Sequence, residues 1–180
     1  MLPNALKELL ALIVVAAAIL DLRWKRVPNW LTLPGLLLGI AVNTILFRGE
    51  GLRSSLEGLG LAFLIYFPLY VLRAMGGGDV KLMAAVGSIA GPGNWLRIFF
   101  FTLLFGAVAA IILMFARRRV RRTLENMWLI LVSLGSGQAP YTRNPELDVR
   151  SEQSVRLPHA VMIAGGAMAF LVARAAGVLR

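Results

Sequence analysis

The sequence contains no cysteine. That excludes a disulfide framework, a thiolate metal site and a thiol nucleophile. It contains one histidine, His159, which cannot build a metal site by itself. Acidic residues are scarce, nine against nineteen Lys and Arg, for a net charge of +10. Charged residues of both signs make up only 16% of the chain, whereas hydrophobic residues make up 58%. A soluble domain of 180 residues could not hide that much apolar surface. What the chain does have is a series of apolar runs, several of them approaching the ~20 residues a spanning helix needs. The composition therefore defines an all-α integral membrane protein with the lipid bilayer as its surroundings. Its positive charge reads as loop charge kept on the cytoplasmic side, and no nucleic-acid partner is expected.

The chain reads as a polytopic helix bundle of about six membrane segments, roughly Leu2–Leu20, Trp30–Phe47, Leu56–Leu72, Val80–Ala90, Trp95–Ala116 and Pro158–Val178. They are expected to form one membrane-embedded domain over 1–180, with a cytoplasmic loop at about 117–157. Gly91-Pro92-Gly93-Asn94 is a turn signal between the fourth and fifth segments. With both termini outside, thirteen of the nineteen basic residues fall in inner regions, the cluster Arg117–Arg122 foremost. The first segment is expected to be retained rather than cleaved, because Lys7 and Glu8 cancel and leave no basic region ahead of it. Thr123–Leu134 reads as an interfacial amphipathic helix carrying Met127 and Trp128, followed by a flexible loop over Gly135–Arg156. Gly35 and Gly39 form a small-xxx-small pair suited to close packing inside the bundle.

Two of the nine acids stand apart. Asp21 directly follows the first apolar segment, near a helix C-terminus where the macrodipole disfavours negative charge. Asp79 opens the fourth segment after Gly76, Gly77 and Gly78. On the topology above both lie at the cytoplasmic interface, at the ends of different helices. The ordinary roles are an N-cap for Asp79 and a loop-edge pairing with Arg23 or Arg26 for Asp21. Two acids at one membrane face suggest function, since carboxylates at membrane depth are costly. A carboxyl pair sharing one proton can hydrolyse a peptide bond without metal, cofactor or covalent nucleophile. The glycines would permit unusual dihedrals and admit an extended substrate strand beside Asp79.

The segment Gly76-Gly77-Gly78-Asp79-Val80-Lys81-Leu82 resembles the GxGD motif of the type IV prepilin-peptidase family. Asp21-Leu22-Arg23-Trp24-Lys25-Arg26-Val27-Pro28-Asn29 resembles that family's first site, an aspartate followed by basic residues and Ile/Val-Pro-Asn. Leu157-Pro158-His159-Ala160 resembles the proline-led start of its final helix. The resemblance covers nearly the whole chain. It implies Asp21 and Asp79 as the catalytic pair of a membrane aspartyl endopeptidase in the bacterial inner membrane. The implied partners are pilin-like precursors, whose basic leader is removed at the cytoplasmic face, and the pilus assembly machinery. Larger members also methylate the new N-terminus and carry a further N-terminal region, often with paired cysteines. This chain shows neither feature and resembles the minimal tight-adherence (Flp pilus) type. Gly76, Gly77, Gly78 and Lys81 are the candidate substrate-binding residues, Lys81 for a glutamate near the start of the mature pilin. Lys81 could equally snorkel to the interface. Another GxGD intramembrane protease or a small transporter using paired carboxylates are the competing classes. The presenilin-like group carries a Pro-Ala-Leu motif that is absent here, and a transporter would place its acids deeper. His159 reads as a polar helix-start residue.

Overall fold

The computed structural model describes residues 2–117, 120–136 and 158–178. It is built from helices: α1 (Asn4–Trp24), α2 (Asn29–Val71), α3 (Gly77–Ala116), α4 (Val120–Gly135) and α5 (His159–Ala175). No strand occurs among the described residues. The expected loop at 117–157 is in large part outside them. Its amphipathic helix is present as α4, slightly longer than the sequence predicts. α2 and α3 are each long and apolar enough to cross a membrane. The outer surface is lined with bare apolar side chains such as Leu12, Ile45, Leu64 and Ile112. That many exposed large hydrophobes are stable against lipid and not against water.

Two helices depart from the segments read in the sequence. α2 contains both the second and the third segment, and α3 the fourth and fifth. Each is broken at one residue, Arg48 (φ 53°, ψ −132°) in α2 and Gly91 (φ 73°, ψ 169°) in α3. At each break the chain doubles back. Gly51 lies against the Asn43 backbone, and Trp95 Nε1 donates to the Met83 carbonyl at 3.1 Å. Residues twelve apart on a straight helix would be ~18 Å apart. The hairpins replace loops of the expected length with a single non-helical residue.

The break at Gly91 leaves carbonyls unpaired in an apolar interior. Pro92 has no N–H for the Ser88 carbonyl four residues back. The buried Asn43 amide fills the gap, its Nδ2 lying 3.0 Å from the Ser88 carbonyl and 3.1 Å from that of Ile89. Asn43 thus pins the first half of α2 to the turn inside α3. Close backbone approach does the rest. Gly58 and Gly87 face each other so directly that a Cβ on either would strike the other's carbonyl. Gly35 and Gly39 pack inside the bundle as expected, against Ile13 and against Ser88 and Ile89.

Candidate active site

One end of the bundle gathers the end of α1, both ends of α2, and the starts of α3 and α5. α1 ends where Lys25 turns left-handed (φ 53°), its N–H bonding the Asp21 carbonyl at 2.8 Å. Pro28 then keeps the preceding residue extended and itself caps α2 (φ −76°, ψ 149°). The Asp21 carboxylate therefore sits in the last helical turn, inside α1 and not after it. It is buried, and its Oδ2 accepts the backbone N–H of Ala160 in the first turn of α5, at 3.2 Å. The expected pairing with Arg23 or Arg26 gives way to this contact. A helix N-terminus offers unpaired N–H groups and a positive dipole end, and it reaches a buried acid more directly than a solvated guanidinium does.

Asp79 is not an N-cap. Gly76 occupies that position with extended backbone (φ −77°, ψ 149°), and Asp79 stands in the first turn with its carboxyl turned back to the Gly76 backbone. The unusual dihedrals expected of the three glycines are absent, since none has positive φ. Their smallness matters instead. A Cβ at Gly78 would lie 3.3 Å from both the Cβ and the carbonyl oxygen of Val27, whereas one at Gly77 would meet only the Tyr70 ring, at 3.3 Å. Val27 is the buried residue of the linker after α1, so Gly78 is where the Asp21 segment docks on the Asp79 segment. A second link runs alongside it, from Lys81 Nζ to Asn29 Oδ1 at 2.9 Å. Gly78→Ala is expected to lower the thermal midpoint, because the Val27 backbone must move. Gly77→Ala should be neutral or slightly stabilising, since a ring can tilt and alanine favours the helix by ~1 kcal/mol. Thermal unfolding of the two variants in nanodiscs checks the order; a larger loss for Gly77→Ala defeats it.

Asp21 and Asp79 are near enough for their charges to interact. Two further titratable groups join them. His159, at the first position of α5, interacts with Asp21, and Tyr66, buried on α2, interacts with Asp79. The Tyr66 ring meets Trp95 and Phe99 edge-on at 6.3 and 6.0 Å, and those two stack at 5.3 Å. An aromatic wall thus stands beside Asp79. Sequence reasoning passed over Tyr66 and gave His159 a bland role, for neither lies near an aspartate in the chain. Among the described residues no three His, Asp or Glu side chains come together to hold a metal.

These features define an all-helical membrane protein with two acids from separate helices at one end. The chain belongs to the type IV leader peptidase family, whose sequence model matches residues 9–111, a stretch containing both aspartates. The prepilin leader peptidase/N-methyltransferase of Escherichia coli (strain K12) is 28% identical over 128 residues, covering 67% of this chain and 57% of that protein. Proteins of the same description from Xanthomonas campestris pv. campestris and Myxococcus xanthus (strain DK1622) are 33% and 29% identical over 121 residues. Those matches cover 63% of this chain and 42% and 36% of the respective relatives. The chain thus spans less than two thirds of the length of each of these relatives. No solved structure matches it significantly.

Proposed function

We propose that the protein is an aspartyl endopeptidase that removes the basic leader from prepilin or pseudopilin precursors at the cytoplasmic face of the membrane, with Asp21 and Asp79 as its catalytic pair. The observation that carries this reading is the meeting of the two acids at one end of the bundle, in a chain of the leader peptidase family. Like charges close together disfavour double ionisation, so the pair holds one proton between them. The ionised carboxylate takes a proton from water, and the protonated one donates to the scissile carbonyl. Gly77 and Gly78 are packed against Tyr70 and Val27, which leaves Gly76, where a Cβ would meet only Asp79 Oδ2 at 3.4 Å, as the glycine of the three with room beside it for an extended peptide. The direct test is co-expression with a candidate prepilin, read as a mobility shift, with the single aspartate variants alongside.

Sidedness follows from charge. Arg23, Lys25, Arg26, Arg73, Lys81 and Arg117 lie at the end of the bundle that holds the acids. Lys7, Arg48, Arg53, Arg97 and Arg174 lie at the other, where Arg174 Nη1 donates to Asn94 Oδ1 at 2.8 Å. The richer end faces the cytoplasm, with 1–180 as one domain whose helical hairpins cross the bilayer. Reporters fused after Arg26 and Arg122 should read as cytoplasmic and one fused after Arg53 as periplasmic. The reverse pattern would put the acids on the wrong side of an unprocessed leader.

Lys81 is already engaged by Asn29, so pairing with a substrate glutamate requires exchanging that partner. Lys81→Met should cost about three- to tenfold in processing, with Asn29→Ala giving a similar loss if the link between the helices is what matters. A double-mutant cycle of Lys81→Met against Glu→Gln in the precursor separates the roles. Additive losses leave Lys81 as a link only.

A further inference from the structure

α4 packs on α3 with the wrong side out for a helix in water. Positions 121, 124, 125, 128 and 132 share one face of a helix, and 123, 126, 130 and 133 share the opposite one. The first set is exposed: the Arg121 side chain at 94%, Trp128 at 67%, and Leu124, Glu125 and Val132 with them. The second set is covered. Ser133 is fully buried, and Thr123, Asn126 and Ile130 are partly so. Three of these four covered side chains are polar, whereas three of the five outward ones are large and apolar. A helix on a wetted surface has the reverse arrangement. We propose that α4 docks on anionic phospholipid, with Arg117 and Arg121 meeting the headgroups and Leu124, Trp128 and Val132 seated among the acyl chains.

Charge selects the lipid. Residues 117–122 include five arginines, placed directly after the apolar α3, and Glu125 is the one acid between 117 and 135. Arg117 is exposed at the end of α3. Arg121 Nε donates to Glu125 Oε1 at 2.9 Å, within one exposed i,i+4 pair. Such a surface pair contributes little, so the guanidinium can exchange its partner. A phosphodiester is a stronger acceptor, since it takes charge-assisted hydrogen bonds from arginine. A basic cluster beside a spanning helix gains with each anionic headgroup near it. A zwitterionic headgroup sets its own ammonium against the arginines. Tryptophan suits the boundary between headgroups and acyl chains, and basic residues beside an apolar Trp/Leu face are the pattern of a helix lying in that plane. An acidic protein segment would satisfy the arginines but leave Leu124, Trp128 and Val132 uncovered. Anionic lipid satisfies both halves of the surface.

The experiment uses the full chain in phosphatidylcholine vesicles, with one fluorophore on a single introduced cysteine; the sequence has no other. Leu124→Cys reports on the proposed surface. Leu64→Cys, exposed on α2, reports on an ordinary lipid-facing position. Each label is quenched by nitroxide-bearing phosphatidylglycerol or by nitroxide-bearing phosphatidylcholine, at the same low mole fraction. The label at 124 should be quenched by both, and about threefold or more effectively by phosphatidylglycerol, because each arginine near the surface favours the anionic lipid several-fold. The label at 64 should show no preference. Arg117→Gln combined with Arg121→Gln should remove most of the preference at 124, and high salt should weaken it, while Arg97→Gln at the other end of the bundle leaves it intact. Equal quenching at 124 by the two lipids would overturn the proposal. So would a preference kept in full by the double Gln variant, or one equally strong at 64. A label at 124 quenched by neither lipid would place α4 outside the bilayer, as an acidic protein partner requires, and would also overturn it.

Discussion

Asp21→Asn and Asp79→Asn should each abolish the proposed precursor cleavage, with a fall of about 100- to 10,000-fold, the usual worth of one positioned acid or base. Membrane insertion and helicity should be unchanged. Asparagine keeps a side-chain carbonyl oxygen, so Asp21→Asn still accepts the Ala160 N–H that ties α1 to α5. What it loses is the ability to take or release a proton. The double variant should be scarcely worse than either single one, because the two groups act as a unit. Asp→Glu at either position should also lose most activity, since one added methylene moves the carboxyl by about 1 Å and attack geometry tolerates that poorly. Processing of a co-expressed prepilin, normalised to enzyme in the membrane fraction, reads all five variants. Near wild-type cleavage by any Asn variant removes that residue from the catalytic pair.

Gly87→Val and Gly58→Val should be the most damaging changes for the fold, lowering accumulation in the membrane severely and the thermal midpoint of any surviving protein by well over 10 °C. At this crossing each glycine lies against the other's backbone carbonyl. No side chain is available to move aside, so a Cβ forces α2 and α3 apart. Overpacking in a core costs about 1–3 kcal/mol even where rotamers can adjust, and here they cannot. The matched control is Gly60→Ala, on the same helix, where a Cβ meets nothing within 4 Å. It should be neutral or stabilising by up to ~1 kcal/mol, the propensity gain alone. Thermal unfolding in nanodiscs compares them, and a Gly87→Val protein as stable as the Gly60→Ala one would mean the helices do not cross there.

Much of this arrangement could be read from residue order. Apolar runs located the helices, and Gly91-Pro92 marked a turn that is present. The two aspartate motifs named the residues that come together at one end. The segment ends at Phe47 and Ala90 each fall one residue before a break; what the residues do not show is that each reversal takes a single non-helical residue in place of a loop. Asn43 was a missed clue. An amide in the middle of an apolar segment needs partners in lipid, and its partners prove to be carbonyls of Ser88 and Ile89, left open by Pro92 and the break at Gly91. Val27, Asn29 and His159 stand in the quoted motifs and Tyr66 does not, but the contacts of all four are illegible in the sequence for a different reason. Each acquires its role only when helices distant in sequence meet, and no local spacing encodes that meeting.

The hydrogen bond from Ala160 to Asp21 also sets a clock on biosynthesis. Its partners are separated by 139 positions in the chain. At ribosomal rates of about 5–20 residues per second, the donor emerges roughly 7–28 s after the acceptor. Asp79 follows Asp21 by 58 positions and precedes Ala160 by 81, so for the later part of that interval both aspartates have been made but the helix end that holds the first of them has not. A nascent chain thus holds both acids before it holds the contact that fixes Asp21, and that contact forms late, when the final helix docks.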